Sequence, residues 1–263
     1  MTKEGKFADV PLRVRAWCYI VVVFGLALLH PLSLLMFIMF LIYWGQLELF
    51  TFAIPIGSLK LGIAVLTTLI ITICLLLLPI EESLLTILGL SMIVSAGIYL
   101  KYKTHSFFLA VMTFYLLSTA ILFYIGLAKE GYKYLILLVV PMELNDVSQY
   151  MAGKLFGKTK ITPHISPNKT LEGVIGGIVM TTGIFNLMYY LLFGEAITLK
   201  TILLAMALSV LGFLGDLTFS LVKRRANVKD TGTLLPGHGG LLDRVDSLLY
   251  TTPLFYIVML WIK

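Results

Sequence analysis

Apolar residues fill nine blocks of this chain, at about 16–29, 32–45, 61–79, 84–100, 106–125, 132–142, 173–193, 197–214 and 247–261. Polar and charged residues are pushed to the gaps between them. A helix needs roughly 20 residues to cross a bilayer, with a working range of about 17–25. In lipid the backbone must satisfy its own hydrogen bonds, so each block is expected to be a helix. The first two blocks are short and separated by His30-Pro31, so they form either a tight hairpin or two tilted spans. The sixth is also short and is a candidate to continue into the polar stretch beyond Met142. The pattern predicts an all-α, polytopic integral membrane protein with about nine transmembrane helices. It divides into N-terminal helices (1–130) and a polar-rich C-terminal region (131–263), with polar loops at 143–172 and 215–247.

Composition agrees with that picture. Of 263 residues, 59% are hydrophobic and 13% charged, against about 25% charged in a soluble domain. Mean hydropathy is +0.97. Cys18 and Cys74 sit inside apolar runs and suggest neither a disulfide framework nor a metal spacing. The run at 16–29 follows Lys3, Lys6, Arg13 and Arg15 but lacks a small-x-small cleavage pattern, so it reads as a retained segment. With the N-terminus inside and every block crossing, 16 of the 20 Lys and Arg residues fall on the inner side. Both polar loops then share the cytoplasmic face, because two blocks separate them. The expected location is a bacterial cytoplasmic membrane.

The charge is unevenly placed. Residues 216–247 hold four acids, five bases and His238 among flexible glycines. Charge of that density beside lipid marks a functional site by default. Asp216, Ser220 and Lys223 or Arg224 stand at helical spacing and can share a face. Lys229, Asp230 and Gly232 make a turn, and residues 236–240 a close-approach loop with Gly239 and Gly240. Asp243 and Asp246, three apart around Arg244, point the same way on a helix. The other loop carries Asn145, Asp146 and Tyr150, then Ser166 and Lys169, with Thr170 as a helix cap. Lys169, at a loop-to-helix junction, is placed to meet a phosphate with helix N-terminal amides.

Carboxylates are hard ligands suited to magnesium, and bases with glycine backbone suit phosphates. Together they describe phosphoryl or nucleotidyl transfer. No P-loop run and no zinc spacing is present. His30 and His105 read as structural. Lys154, Lys158 and Lys160 read as topology or anionic-lipid contacts. Glu48, the one acid near a span, reads as lying at a segment end or an interface. Gly153/Gly157 and Gly173/Gly177 offer either close helix packing or a subunit-pairing surface. A transporter is the rival class; it would place acids in mid-segment, whereas here they cluster at segment ends.

At these residues the chain resembles the phosphatidate cytidylyltransferase (CDP-diacylglycerol synthase) family. Ser220, Lys223, Arg224, Lys229, Asp230, Gly232, Leu235, Pro236, His238, Gly239, Gly240, Leu241, Asp243, Arg244 and Asp246 stand in register with the family signature. Gly215-Asp216-Leu217 fits as well. The run Ser166-Pro167-Asn168-Lys169-Thr170-Leu171-Glu172-Gly173 is similar to a second family motif. The chain departs at Asn145-Asp146-Val147-Ser148-Gln149-Tyr150, where Gln149 replaces a usual Ala; this looks like a divergent branch.

The resemblance implies CTP and phosphatidic acid as substrates and CDP-diacylglycerol and pyrophosphate as products. It also implies magnesium as one or two divalent ions, with a monovalent cation as an option, and a homodimer. Nucleic acid is not an expected partner. Asp216, Asp243 and Asp246 are the expected metal ligands. Lys223, Arg224, Lys229, Arg244 and His238 are expected at the β- and γ-phosphates. Asn145, Asp146, Tyr150, Ser166, Lys169, Ser220, Asp230, Gly239 and Gly240 are expected to seat the nucleotide or lipid phosphate. Another lipid phosphate, ether or isoprenoid, is the alternative acceptor.

Overall fold

The computed structural model describes residues 10–103, 106–234 and 239–262. Among these the elements are helical: α1 (Val10–Ala27), α2 (Pro31–Thr51), α3 (Gly57–Leu77), α4 (Ile80–Tyr102), α5 (Ser106–Leu127), α6 (Gly131–Phe156), α7 (Leu171–Phe193), α8 (Leu199–Arg225), the short α9 (Leu242–Val245) and α10 (Leu248–Ile262). Each of the nine apolar blocks lies on one of the long helices. Six helices among the described residues, α2 to α5, α7 and α8, are long and apolar enough to cross a membrane. The helices outrun the apolar blocks because a helix does not stop where the lipid does. α6 runs on through Phe156 and α8 through Arg225, so Asn145, Asp146, Tyr150, Asp216, Ser220 and Lys223 all stand on helices. Among the described residues of the two polar stretches, 157–170, 226–234 and 239–241 lie outside these helices.

The chain packs as two units. The first comprises the chain up to Phe123 together with Val228–Arg244; the second comprises Tyr124–Asn227 and Val245–Lys263. Val228–Arg244, late in the sequence, thus groups with the N-terminal part of the chain.

In the first unit, α2 is the organiser. His30 caps it, its ring accepting from the Leu32 N–H at 3.1 Å while Ser33 returns a bond to the His30 N–H, which is the structural role expected of His30. The buried Gln46 amide oxygen accepts from the Thr67 hydroxyl at 2.5 Å and so joins α2 to α3. Tyr115 of α5 donates to the Leu41 carbonyl at 2.6 Å. Gly45 is needed there, because any Cβ would collide with the Tyr115 ring.

In the second unit, α6, α7 and α8 are clamped by one side chain. Asn145 is fully buried; its Oδ1 accepts from Thr181 of α7 at 3.0 Å and from Ser209 of α8 at 2.7 Å. Its Nδ2 donates to the Ser209 carbonyl at 3.2 Å. A buried polar group this well satisfied stabilises, and its removal leaves partners stranded. Asn145→Ala is therefore expected to lower stability by about 1–3 kcal/mol, read as an earlier thermal unfolding transition in detergent.

The glycines meet within the chain as well. A Cβ on Gly173 would press on the Gln149 carbonyl and the Gly153 backbone, one on Gly176 on Ala152, and one on Gly177 on the Gln149 side chain. They let α6 and α7 approach closely, so the packing alternative holds for these positions.

Candidate active site

Four pieces of the second unit carry charged groups to one place: α6, the connection 157–170, α8 and the turn just before α10. The connection folds back on itself. Glu172, in the first turn of α7, accepts from the Lys158 N–H at 2.9 Å and the Thr159 N–H at 3.1 Å. Lys160 and Thr170 form an antiparallel bridge. Thr170 caps α7 as expected, accepting from the Gly173 N–H at 3.2 Å. Ser166 closes the turn, its carbonyl accepting from the Lys169 N–H at 3.2 Å. These bonds fix the backbone from which Lys169 projects.

Lys169 forms an ion pair with Asp216 of α8, and its ammonium lies 4.7 Å from the centre of the Phe213 ring. Ser220, one turn on, donates to Asp216 Oδ1 at 3.4 Å. Asp246 is buried, and its Oδ1 accepts from the Ser247 N–H at 2.8 Å. Burial, then repulsion from Asp216 and from Asp146 of α6, pushes the Asp246 carboxyl well above the usual carboxylate range, with Lys223 and Lys169 pulling the other way. Asp146, Asp216 and Asp246 thus share one electrostatic neighbourhood with Lys169 and Lys223. Gly215 makes the approach possible: a Cβ there would run into the Asp246 carbonyl oxygen. Arg224 donates from Nε to the Ile165 carbonyl at 3.2 Å and so holds α8 to the Ser166 turn.

The first unit holds a second polar network. Asp243 Oδ2 accepts from the Thr231 N–H at 2.9 Å, the Thr231 hydroxyl at 3.0 Å and the Gly240 N–H at 2.9 Å. Gly239 adopts φ +80, and a Cβ there would meet the Asp243 carboxylate. The same Thr231 hydroxyl lies 2.9 Å from Glu48 Oε2. Glu48 also accepts from the Leu241 N–H at 2.7 Å and the Leu242 N–H at 2.9 Å.

Most of the sequence-derived residues find a place in these two networks. Asp146, Ser166, Lys169, Asp216, Ser220, Lys223, Arg224 and Asp246 lie in the second unit. Asp230, Gly239, Gly240, Asp243 and Arg244 lie in the first, with Lys229 and Asp230 exposed. His238 and His105 lie outside the described residues. Tyr150 is 61% exposed, and its hydroxyl sits 3.3 Å from the Lys154 ammonium on its own helix. Asn145 was expected at a ligand; its amide is instead spent on α7 and α8.

Glu48 is the residue that sequence reading undervalued. It does lie near a helix end, but it is buried and fully engaged. The available signal was an ionisable residue in an apolar run, which is rare without a purpose.

Among the described residues, no three His, Cys, Asp or Glu side chains form a ready-made metal cage. Magnesium does not need one, since it commonly binds one or two carboxylates together with substrate phosphates and water. Asp216 and Asp246, which repel each other beside Lys169, fit that requirement.

Known proteins resemble this chain in sequence. The sequence profile of the cytidylyltransferase family matches residues 12–262. "Uncharacterized protein YnbB" of Escherichia coli K12 is 33% identical over 276 residues, covering 96% of this chain and 88% of that protein. A phosphatidate cytidylyltransferase of Staphylococcus saprophyticus is 42% identical over 135 residues, 51% of this chain and 52% of that enzyme. That of Bacillus subtilis is 40% identical over 134 residues, 51% of this chain and 50% of the enzyme. The match thus spans about half the length of these two enzymes.

Proposed function

This chain belongs to the cytidylyltransferase family, and from that premise we propose that it transfers the cytidylyl group of CTP to phosphatidic acid, giving CDP-diacylglycerol and pyrophosphate. It is a membrane-embedded nucleotidyltransferase. The observation that carries the reading is the grouping of Asp146, Asp216 and Asp246 with Lys169 and Lys223, just beyond the apolar stretches of the chain. The charge count favours the cytoplasmic face for this site, where CTP is available and the acyl chains need not leave the leaflet.

Asp216 and Asp246 would hold magnesium. Bound there, it would neutralise charge on the triphosphate and on the departing pyrophosphate. Asp243, which the sequence offers as a further ligand, has its Oδ2 occupied by Thr231 and Gly240; in this reading it shapes the glycine backbone. Lys169 and Lys223 place positive charge against phosphate oxygens, and Arg224 keeps the Ser166 turn in position. The resemblance adds Lys229, His238 and Arg244 at the β- and γ-phosphates; the Gly240 N–H is taken by Asp243, so Gly240 fixes the shape of this stretch and is not itself a phosphate donor.

The chemistry needs little else from the protein. A phosphatidate oxygen, already anionic at pH 7, attacks the α-phosphorus in line. A new P–O bond forms as the bond to the bridging α–β oxygen breaks, and that electron pair leaves with pyrophosphate. No proton has to be removed first, so positioning and charge neutralisation carry the rate.

A second reading concerns the acceptor. The relative matched over nearly the full chain is the uncharacterised one, and Gln149 stands where the family resemblance has Ala. Another lipid phosphate, ether or isoprenoid, is the acceptor in that case. Purified protein given α-labelled CTP and a panel of lipid phosphates separates the two. Label is expected in CDP-diacylglycerol and to vanish with EDTA. Label confined to an ether or isoprenoid product would replace the acceptor, and product formation insensitive to EDTA would remove the metal.

A further inference from the structure

On the cytidylyl-transfer reading, we infer that Glu48 is a positioning residue for the reaction, a buried carboxylate that holds the signature glycine stretch from beneath. Glu48 is 6% exposed on α2, close to its C-terminal end. Three donors from a distant part of the chain satisfy its carboxylate. Oε1 takes the Leu241 N–H at 2.7 Å. Oε2 takes the Leu242 N–H at 2.9 Å and the Thr231 hydroxyl at 2.9 Å. Leu241 immediately precedes α9 and Leu242 is its first residue, so the carboxylate fixes the entry to that short turn.

The fit is made from both sides. A Cβ on Gly232 would stand 2.8 Å from Glu48 Oε1, and one on Gly240 would overlap Oε2 and the Thr231 hydroxyl. Two of the signature glycines are thus explained by the room that this one carboxylate occupies. The Thr231 hydroxyl lies between Glu48 Oε2 and Asp243 Oδ2, at 2.9 and 3.0 Å. Its single proton serves two acceptors, so a shift of either carboxylate is felt by the other. Asp243 in turn holds the Gly240 N–H. The chain of contacts runs Glu48, Thr231, Asp243, Gly240, within the stretch that carries the proposed phosphate contacts Lys229 and Arg244.

Glutamine is the informative replacement. It keeps the size but exchanges one acceptor oxygen for an NH₂ group, which must face an N–H or hydroxyl donor. Misplacing catalytic groups by about 1 Å costs roughly 100-fold in rate. Glu48→Gln is expected to insert and fold, to lower kcat about 100-fold, and to leave KM for the lipid acceptor within about threefold. Hydrogen exchange at the Leu241 and Leu242 amides should rise at least about tenfold, while protection of the α2–α3 pair around Gln46 and Thr67 stays. Thr231→Val should move both readouts in the same direction by less, because the two backbone donors to Glu48 remain.

Wild-type kcat in Glu48→Gln would overturn the inference. So would loss of protection throughout α2 and α3, which marks a merely structural role. If the wild-type protein transfers nothing from CTP to any lipid phosphate, the functional reading falls by itself. The exchange comparison would still decide whether Glu48 anchors Leu241 and Leu242; unchanged exchange there would overturn the anchoring.

Discussion

Asp246→Asn is expected to reduce kcat for cytidylyl transfer by about a thousandfold while the protein unfolds at a temperature no lower than wild type. Both halves follow from one arrangement. Asp246 is buried next to Asp216 and Asp146, and that repulsion together with desolvation works against its charge. An amide removes the charge and relieves the repulsion. It keeps the oxygen that accepts from the Ser247 N–H, so folding loses nothing. On the proposed mechanism turnover requires the carboxylate: a neutral amide would not hold magnesium against the pull of a triphosphate. A functional carboxylate held at the expense of stability gives this split, whereas a structural one lowers both together. Labelled-CTP turnover and thermal unfolding in the same detergent read the two halves. Near-native turnover would take Asp246 out of the site.

Lys169→Met should cost nearly as much, about 100- to 1,000-fold in kcat/KM for CTP. Methionine matches the length and can still lie on Phe213, so the packing is kept. The charge is not kept. Asp216 loses its partner, and the acids at 146, 216 and 246 are left with Lys223 as their named counter-charge. A triphosphate then approaches a more negative surface. Lys169→Arg keeps the charge in a bulkier, planar group and should recover only part of the loss. Steady-state rates against CTP concentration make the check. An unchanged kcat/KM in Lys169→Met would remove the residue from nucleotide binding.

The helices were legible from the sequence, and the site was legible in part. Asp216, Ser220 and Lys223 stand at helical spacing and are found on one helix. Thr170 was recognisable as a cap from its place before Leu171-Glu172. The continuation of α6 past Met142 was foreseen, but the points where α6 and α8 end were not visible, since hydropathy falls where the membrane stops and both helices continue. Nor was the difference between Asn145 and Asp146. In a soluble protein, apolar periodicity tells the inner face of a helix from the outer; in lipid both faces are apolar and the phase is hidden. One neighbour therefore became a helix clamp and the other joined the acids.

The Glu48 network was hidden for another reason. Its partners lie more than 180 residues away in the chain, and local pattern carries no record of such a pairing. The glycines at 153, 173, 176 and 177 carried a spacing that serves subunits and single chains alike. Only the positions of Gln149 and Ala152 show which contact they make.

The central claim is that the cytidylyl part of CTP moves to a lipid phosphate and the rest leaves as pyrophosphate. Parallel reactions of the purified protein with phosphatidic acid, one with CTP labelled at the α-phosphate and one at the γ-phosphate, test it directly. The α-label should enter chloroform-extractable CDP-diacylglycerol, and the γ-label should appear in equal amount as pyrophosphate in the aqueous phase. Entry of the γ-label into lipid, or retention of both labels in CTP with every lipid phosphate tried, would contradict it.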